Sequence, residues 1–193
     1  MDNETWYVNI TSMNLDQFSL LLTIGSGLLL YVVVTSMIIY ALSSKTRERM
    51  HNASYYLYMK LMGLVAITAT VCVLIYQYVY ETPVCEYCWW QRIFMFPIDI
   101  VVLASIFLKI RKNQIITGVL ATIGLVYAII HYWYHYQSII LNRDVDSGCS
   151  IIGITPSCTE SSVLIFGFVT IPLMAVFTFI SIIWLSYLAH KAK

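Results

Sequence analysis

Long apolar stretches, nearly free of charge, alternate along this chain with short polar ones. Five of them, at about 17–43, 56–80, 93–110, 115–137 and 163–187, approach or exceed the roughly 20 apolar residues that a helix needs to cross a bilayer. The third is short unless it reaches back through Trp89 and Trp90. Lipid offers no water to backbone N–H and C=O groups, so each stretch is expected to be a helix. The pattern predicts an all-α integral membrane protein. Three connections are short, and one, near 138–162, is long. It carries N-R-D-V-D-S-G and T-P-S-C, both turn-forming, and such loops are where chemistry collects on a rigid scaffold. Its start, residues 138–141, is apolar enough either to lie along the interface or to continue the fourth helix.

Composition agrees: 60% of the 193 residues are hydrophobic and 11% are charged, against about 25% charged in soluble domains. The net charge of +1 says little, but its distribution orients the chain. Lys45, Arg47, Arg49 and Lys60 flank the first connection, Lys109, Arg111 and Lys112 the third, and Lys191 and Lys193 follow the last span. Only Arg92 and Arg143 fall on the other side. The positive-inside rule then places the N-terminus outside and the C-terminus in the cytoplasm of a multi-pass plasma-membrane protein. The start M-D-N-E-T-W-Y lacks a basic region, and no small-residue cleavage pattern follows the first span, so that span is expected to be retained. Aromatics are expected to belt both interfaces: Tyr76, Tyr78, Tyr80, Trp89, Trp90, Tyr132, Trp133, Tyr134 and Tyr136 outside, Tyr55, Tyr56, Trp184 and Tyr187 inside. Membrane lipid is the expected surrounding, with no nucleic acid as partner.

This topology puts Cys85, Cys88, Cys149 and Cys158 together on the oxidising side, where disulfides persist. The segment C-E-Y-C-W-W-Q-R spaces two cysteines for a small disulfide at the mouth of a helix. There the helix dipole favours a thiolate, and Arg92, four residues after Cys88, adds a cation on the same face. A lowered thiol pKa at Cys88 is therefore expected. Cys149 and Cys158 form a second pair in the long loop, and two dithiols on one side of a membrane can exchange electrons. Zinc held by the four sulfurs and a pair of structural cross-links remain open as alternatives. Zinc would need an unusual ligand spacing, and so short a loop as Cys-x-x-Cys removes little chain entropy when stapled. Covalent haem is disfavoured because Trp89, not histidine, follows Cys88. Cys72, alone in the second span, reads as a small buried hydrophobe.

The run C-E-Y-C-W-W-Q-R-I-F-M-F-P, from Cys85 to Pro97, resembles the signature of the disulfide bond formation protein B family (DsbB, called BdbC in Gram-positive bacteria). His131-Tyr132 resembles its H-Y pair, and F-G-F-V-T-I-P, from Phe166 to Pro172, resembles its last helix. The resemblance covers about residues 56–190, with C-x-x-C preceding the loop pair. It implies a four-helix bundle, over residues 44–193, with a Cys-x-x-Cys loop at 81–92 and a second cysteine loop at 138–162. An outer tail, 1–16, and an extra span, 17–43, precede it.

The activity implied is a membrane thiol:quinone oxidoreductase that reoxidises a thioredoxin-fold partner of the DsbA/BdbD kind. Cys149 would be attacked by that partner, Cys158 would pass electrons to Cys85, and Cys88 would reduce a quinone, menaquinone or ubiquinone. Arg92, with Trp89 and His131, would line the cofactor's site. Besides the extra span and the C-x8-C spacing of the second pair, two features depart from the family pattern: His135 stands where a glutamine is common, and Asp99 lies inside the third span. A charge at such depth usually has a partner. Asp99 and His131, each about six residues below the outer end of its span, are expected to pair across helices three and four and to form either a proton relay or a packing contact.

Overall fold

The computed structural model describes residues 14–141, 143 and 164–192. Among the described residues six α-helices run in order: α1 Leu15–Leu42, α2 Ser44–Asn52, α3 Tyr55–Tyr78, α4 Glu86–Phe107, α5 Gln114–His135 and α6 Ile171–Lys191. All but α2 are long and apolar enough to span a bilayer, as expected of an all-α integral membrane protein. The end of the bundle that carries Cys85 is called the cysteine end below, and the opposite one the far end.

Three boundaries differ from the hydropathy pattern. The third span begins at Glu86, not near 93, because the C-x-x-C segment is itself the first turn of α4. The last span begins at Ile171, not near 163. Phe166 and Gly167 turn the chain with positive φ (52° and 75°), Ile165 bridges Val169, and Pro172 sits in the first turn of α6, where no backbone donor is needed. The Phe166–Pro172 run that resembles the family's last helix is thus mostly the turn leading into it. Finally, the first connection contains α2, capped by Ser43, whose Oγ accepts from the Thr46 N–H at 3.3 Å. After His135, residues Tyr136–Ile140 continue α5 as a π-helical turn, so the continuing-helix alternative holds there.

The helix α6 sits at the centre. Of its most apolar 18-residue window 61% is buried, against 11% for α1. Its main neighbour is α5, whose buried residues are Gln114, Thr117, Ala121, Gly124, Ala128, His131 and His135. Their alternating spacing of three and four is that of a coiled-coil seam, filled here with small residues. A Cβ on Gly124 would stand 2.5 Å from the Phe179 ring, and one on Gly118 2.7 Å from Ser186 Oγ. Both glycines therefore let the two helices close on each other, as small residues do in lipid.

The aromatic belts are real in part. Tyr78, Trp89, Trp133 and Tyr187 are exposed, but Tyr55, Tyr76 and Trp184 are buried. Tyr76 and Trp184 point their polar atoms at α1. Tyr76 OH donates to Ser19 Oγ (3.0 Å), and Trp184 Nε1 donates to Ser36 Oγ (2.7 Å). At the far end, Arg47, Arg111 and Lys191 lie 5.3, 5.6 and 5.9 Å over the rings of Tyr40, Tyr55 and Tyr187. These cations stack on aromatic faces near the ends of the spans, where their stems can cover apolar surface.

Candidate active site

Cys85 is the N-cap of α4 and is buried, with only 6% of its surface exposed. One turn on, Cys88 brings its Sγ to 3.0 Å from that of Cys85. Across the bundle, the seam of α5 presents His131, whose Nε2 lies 3.3 Å from Cys85 Sγ. The Gln91 side-chain amide meets the other imidazole nitrogen, Nδ1, at 3.1 Å. The ring is therefore held at both nitrogens, and the His135 ring packs against it edge-on at 4.7 Å.

The thiol of Cys88 donates across the pair and holds the Cys85 thiol down at about 4; burial opposes this, and His131 adds to the lowering. Free thiols titrate near 8.5. The thiolate expected at Cys88 thus falls on Cys85, because Cys85 occupies the cap and receives both neighbours. Arg92 is turned elsewhere. Its guanidinium donates to Gln77 Oε1 and, at 3.4 Å, to the Val73 carbonyl, and lies 5.3 Å over the Trp89 ring.

A cavity of about 360 Å³ opens beside the pair, between α1, α3, α4 and α6. Cys88, Gln91, Arg92 and Thr82 line one end, and Val65, Ala69 and Met95 line the apolar remainder. Along α3 it runs from Tyr76 to Leu64, ~18 Å at about 1.5 Å per residue. Cys85 lies off its wall, so the two sulfurs face different ways: Cys88 toward the cavity, Cys85 toward His131.

Of the residues expected around a cofactor, Arg92 lines the cavity, whereas Trp89 and His131 stay off its wall. Trp89 is exposed and steadies Arg92; His131 attends Cys85. The expected Asp99–His131 pair is not formed. Asp99 Oδ2 accepts from Thr70 Oγ1 at 2.6 Å, while His131 is engaged by Cys85 and Gln91. The helix start at Glu86 explains this: Asp99 lies ~20 Å down α4, far below the histidine's contacts at the first turn. Cys72 is half-buried: it packs against the Phe18–Tyr76 cluster and also lines the cavity. Cys149 and Cys158 lie outside the described residues.

Gln77, Gln91 and Thr82 are polar residues of this site that sequence reasoning missed. Gln91 could have been found, since it follows Cys88 by three and so shares its helix face; Gln77 and Thr82 carry no such signal. The donor atoms of Cys85, Cys88 and His131 lie within 4.8 Å of one another, close enough to hold a metal ion.

Five helices apolar enough to cross a membrane, two of which hold a buried dithiol against a histidine, fit a membrane protein of the thiol–disulfide oxidoreductase class. The chain belongs to the DsbB family: the family model described as "Disulfide bond formation protein DsbB" matches residues 56–189. Among relatives, a "Probable disulfide formation protein C 2" of Bacillus anthracis is 30% identical over 124 residues, 64% of this chain and 84% of that protein. The "SPbeta prophage-derived disulfide bond formation protein B" of Bacillus subtilis (strain 168) is 32% identical over 115 residues, 60% of this chain and 73% of its own length. A "Probable disulfide formation protein C" of Halalkalibacterium halodurans is 31% identical over 131 residues, covering 67% and 90%. No solved structure matches the chain significantly.

Proposed function

We propose that the protein is a thiol:quinone oxidoreductase that reoxidises a thioredoxin-fold dithiol oxidase of the DsbA/BdbD kind, and so sustains disulfide formation in extracytoplasmic proteins. The observation that carries this reading is the division of the pair: Cys88 faces a membrane-embedded cavity with one polar end, and Cys85 faces a histidine away from it. A cavity of about 360 Å³ falls in the range of small-ligand sites. Its donor set suits a quinone, with Arg92 and Gln91 at one end to hold ring oxygens and apolar walls beyond. When bound, a quinone, whether menaquinone or ubiquinone, supplies an acceptor for two electrons and two protons inside the membrane.

The chain's own residues do the rest. Cys149 takes the attack of the partner's thiolate, forming a mixed disulfide, and Cys158 carries the electron pair on to Cys85. Attack of the Cys158 thiolate on Cys85 breaks the Cys85–Cys88 bond and releases Cys88 as a thiolate facing the cavity. Cys85, stabilised as thiolate, is the leaving group when Cys149, freed from the partner, closes back on Cys158. The His131 imidazole stands 3.3 Å from the Cys85 sulfur, and Gln91 fixes the ring's orientation. Trp89 holds the Arg92 guanidinium at the cavity's polar end. The clustering of Lys and Arg at the far end supports an N-out, C-in topology, with the cysteines on the extracytoplasmic face of the plasma membrane.

The test is quinone reduction by the purified protein supplied with a reduced thioredoxin-fold oxidase. The native chain is expected to turn over, Cys88→Ser to fall to background, and Cys158→Ser, supplied instead with the oxidised oxidase, to accumulate a mixed disulfide as the Cys149 thiolate attacks the partner's disulfide. A Cys88→Ser variant that still turned over would sink the proposal. One observation favours a second reading, a metal-binding protein: the grouping of Cys85, Cys88 and His131. Stoichiometric metal in the purified protein, together with no quinone reduction, would decide for it.

A further inference from the structure

The helix α1 precedes the region matched by the family, which begins at residue 56, yet it forms part of the cavity. Leu22, Gly25, Ser26 and Leu29 all line it. Their spacing of three, four and seven from Leu22 makes a single stripe down one face of the helix.

The helix is fastened at both ends. At the cysteine end Phe18 packs 5.1 Å from Tyr76 and 5.3 Å from Tyr80, and Ser19 is bonded to Tyr76. At the far end Ser36 is bonded to Trp184, and the Tyr40 hydroxyl meets His51 at 2.9 Å and Tyr187 at 3.2 Å. The cavity occupies the interval between these fastenings. Counting down α1 from Ser19, which meets Tyr76, Leu22 comes level with about Val73, whose carbonyl Arg92 reaches, and Gly25 and Leu29 lie below it, beside the apolar section of the cavity.

Within the stripe Gly25 is the position that leaves space. A Cβ built on it meets no heavy atom within 4 Å, so a large side chain there has room to reach into the cavity that Gly25 lines. Ser26 turns its hydroxyl back onto the Thr23 carbonyl (3.1 Å), which keeps the wall apolar. Gly27 is equally open but does not line the cavity.

We propose that α1 is the wall against which the apolar tail of the bound quinone lies, and that Gly25 determines which tails the site accepts. The proposal rests on the quinone reading given above. It is tested on the purified full chain by following reoxidation of the reduced Cys85–Cys88 pair by two quinones of the same ring, one with a long isoprenoid tail and one without. Gly25→Phe is expected to raise the half-saturating concentration of the long-tailed quinone about tenfold or more and to leave the tailless one unchanged. Gly27→Phe is expected to change neither.

Equal shifts for the two quinones, or a Gly25→Phe that behaves like Gly27→Phe, would overturn the assignment. A second measurement needs no substitution: a long-tailed quinone with a photoreactive group on its tail should label the peptide containing residues 22–29. Labelling confined to α3 and α6 would equally overturn it. If the native chain reduces neither quinone, the quinone reading itself falls, and the tail wall with it.

Discussion

Cys85 owes its chemistry to two neighbours, one a helical turn away and one on another helix. Its thiol is held at about 4 by the Cys88 donor first and by His131 second, against the cost of burial. The folded value lies below the unfolded one, near 8.5, so the ion stabilises the reduced protein fully above the unfolded value. That stabilisation is lost as pH falls through about 4. An ultraviolet titration of thiolate absorbance in the reduced protein should therefore show one thiolate persisting through mildly acidic pH and disappearing near 4. His131→Ala should move that midpoint upward; a midpoint near the ordinary thiol value in the native chain would refute the geometry. The pair itself was legible from its spacing, and Arg92 from its place one turn on. Which sulfur carries the charge was not, because that depends on a histidine distant in sequence and brought close only by packing. Asp99 failed for a related reason: its depth was counted from a helix start that hydropathy placed too late.

Periodicity at the scale of the element told which segments are helices and left their ends and neighbours open. Aromatic residues and charges at the start of α4 lowered its apparent hydropathy although they are helical, and the turn before α6 is apolar although it is not. The seam of α5 could be read only once its partner was known. Small residues at alternating spacings of three and four mark a close approach, but nothing in them names Phe179. Gly124→Leu should drive a side chain into that ring and cost about 1–3 kcal/mol or more, seen as a lower unfolding temperature in detergent. Exposed Ile123→Leu, the neighbouring control, should stay within about 0.5 kcal/mol. Because His131 rides on the same seam, Gly124→Leu should also raise the Cys85 midpoint, coupling a packing change to the chemistry two turns away.

For the whole molecule, the charges argue a single orientation. Lys45, Arg47, Arg49, Lys109, Arg111, Lys112 and Lys191 gather at the far end, which by the positive-inside rule supports the proposed cytoplasmic placement of that end. Exposed Glu81 and Lys112 stand at opposite ends of α4. A membrane-impermeant maleimide applied to intact cells should add label to Glu81→Cys relative to the native chain, and to Lys112→Cys only after permeabilisation; the reverse pattern would invert the topology. The bundle's centre has a further consequence for how such a chain is made. The most enclosed helix, α6, is the last of the six to leave the ribosome. Until it arrives, α1 has lost its main neighbour, the α5 seam faces lipid and the cavity lacks a side. Insertion of the earlier helices can therefore proceed one by one, but assembly of the active site waits for the final span.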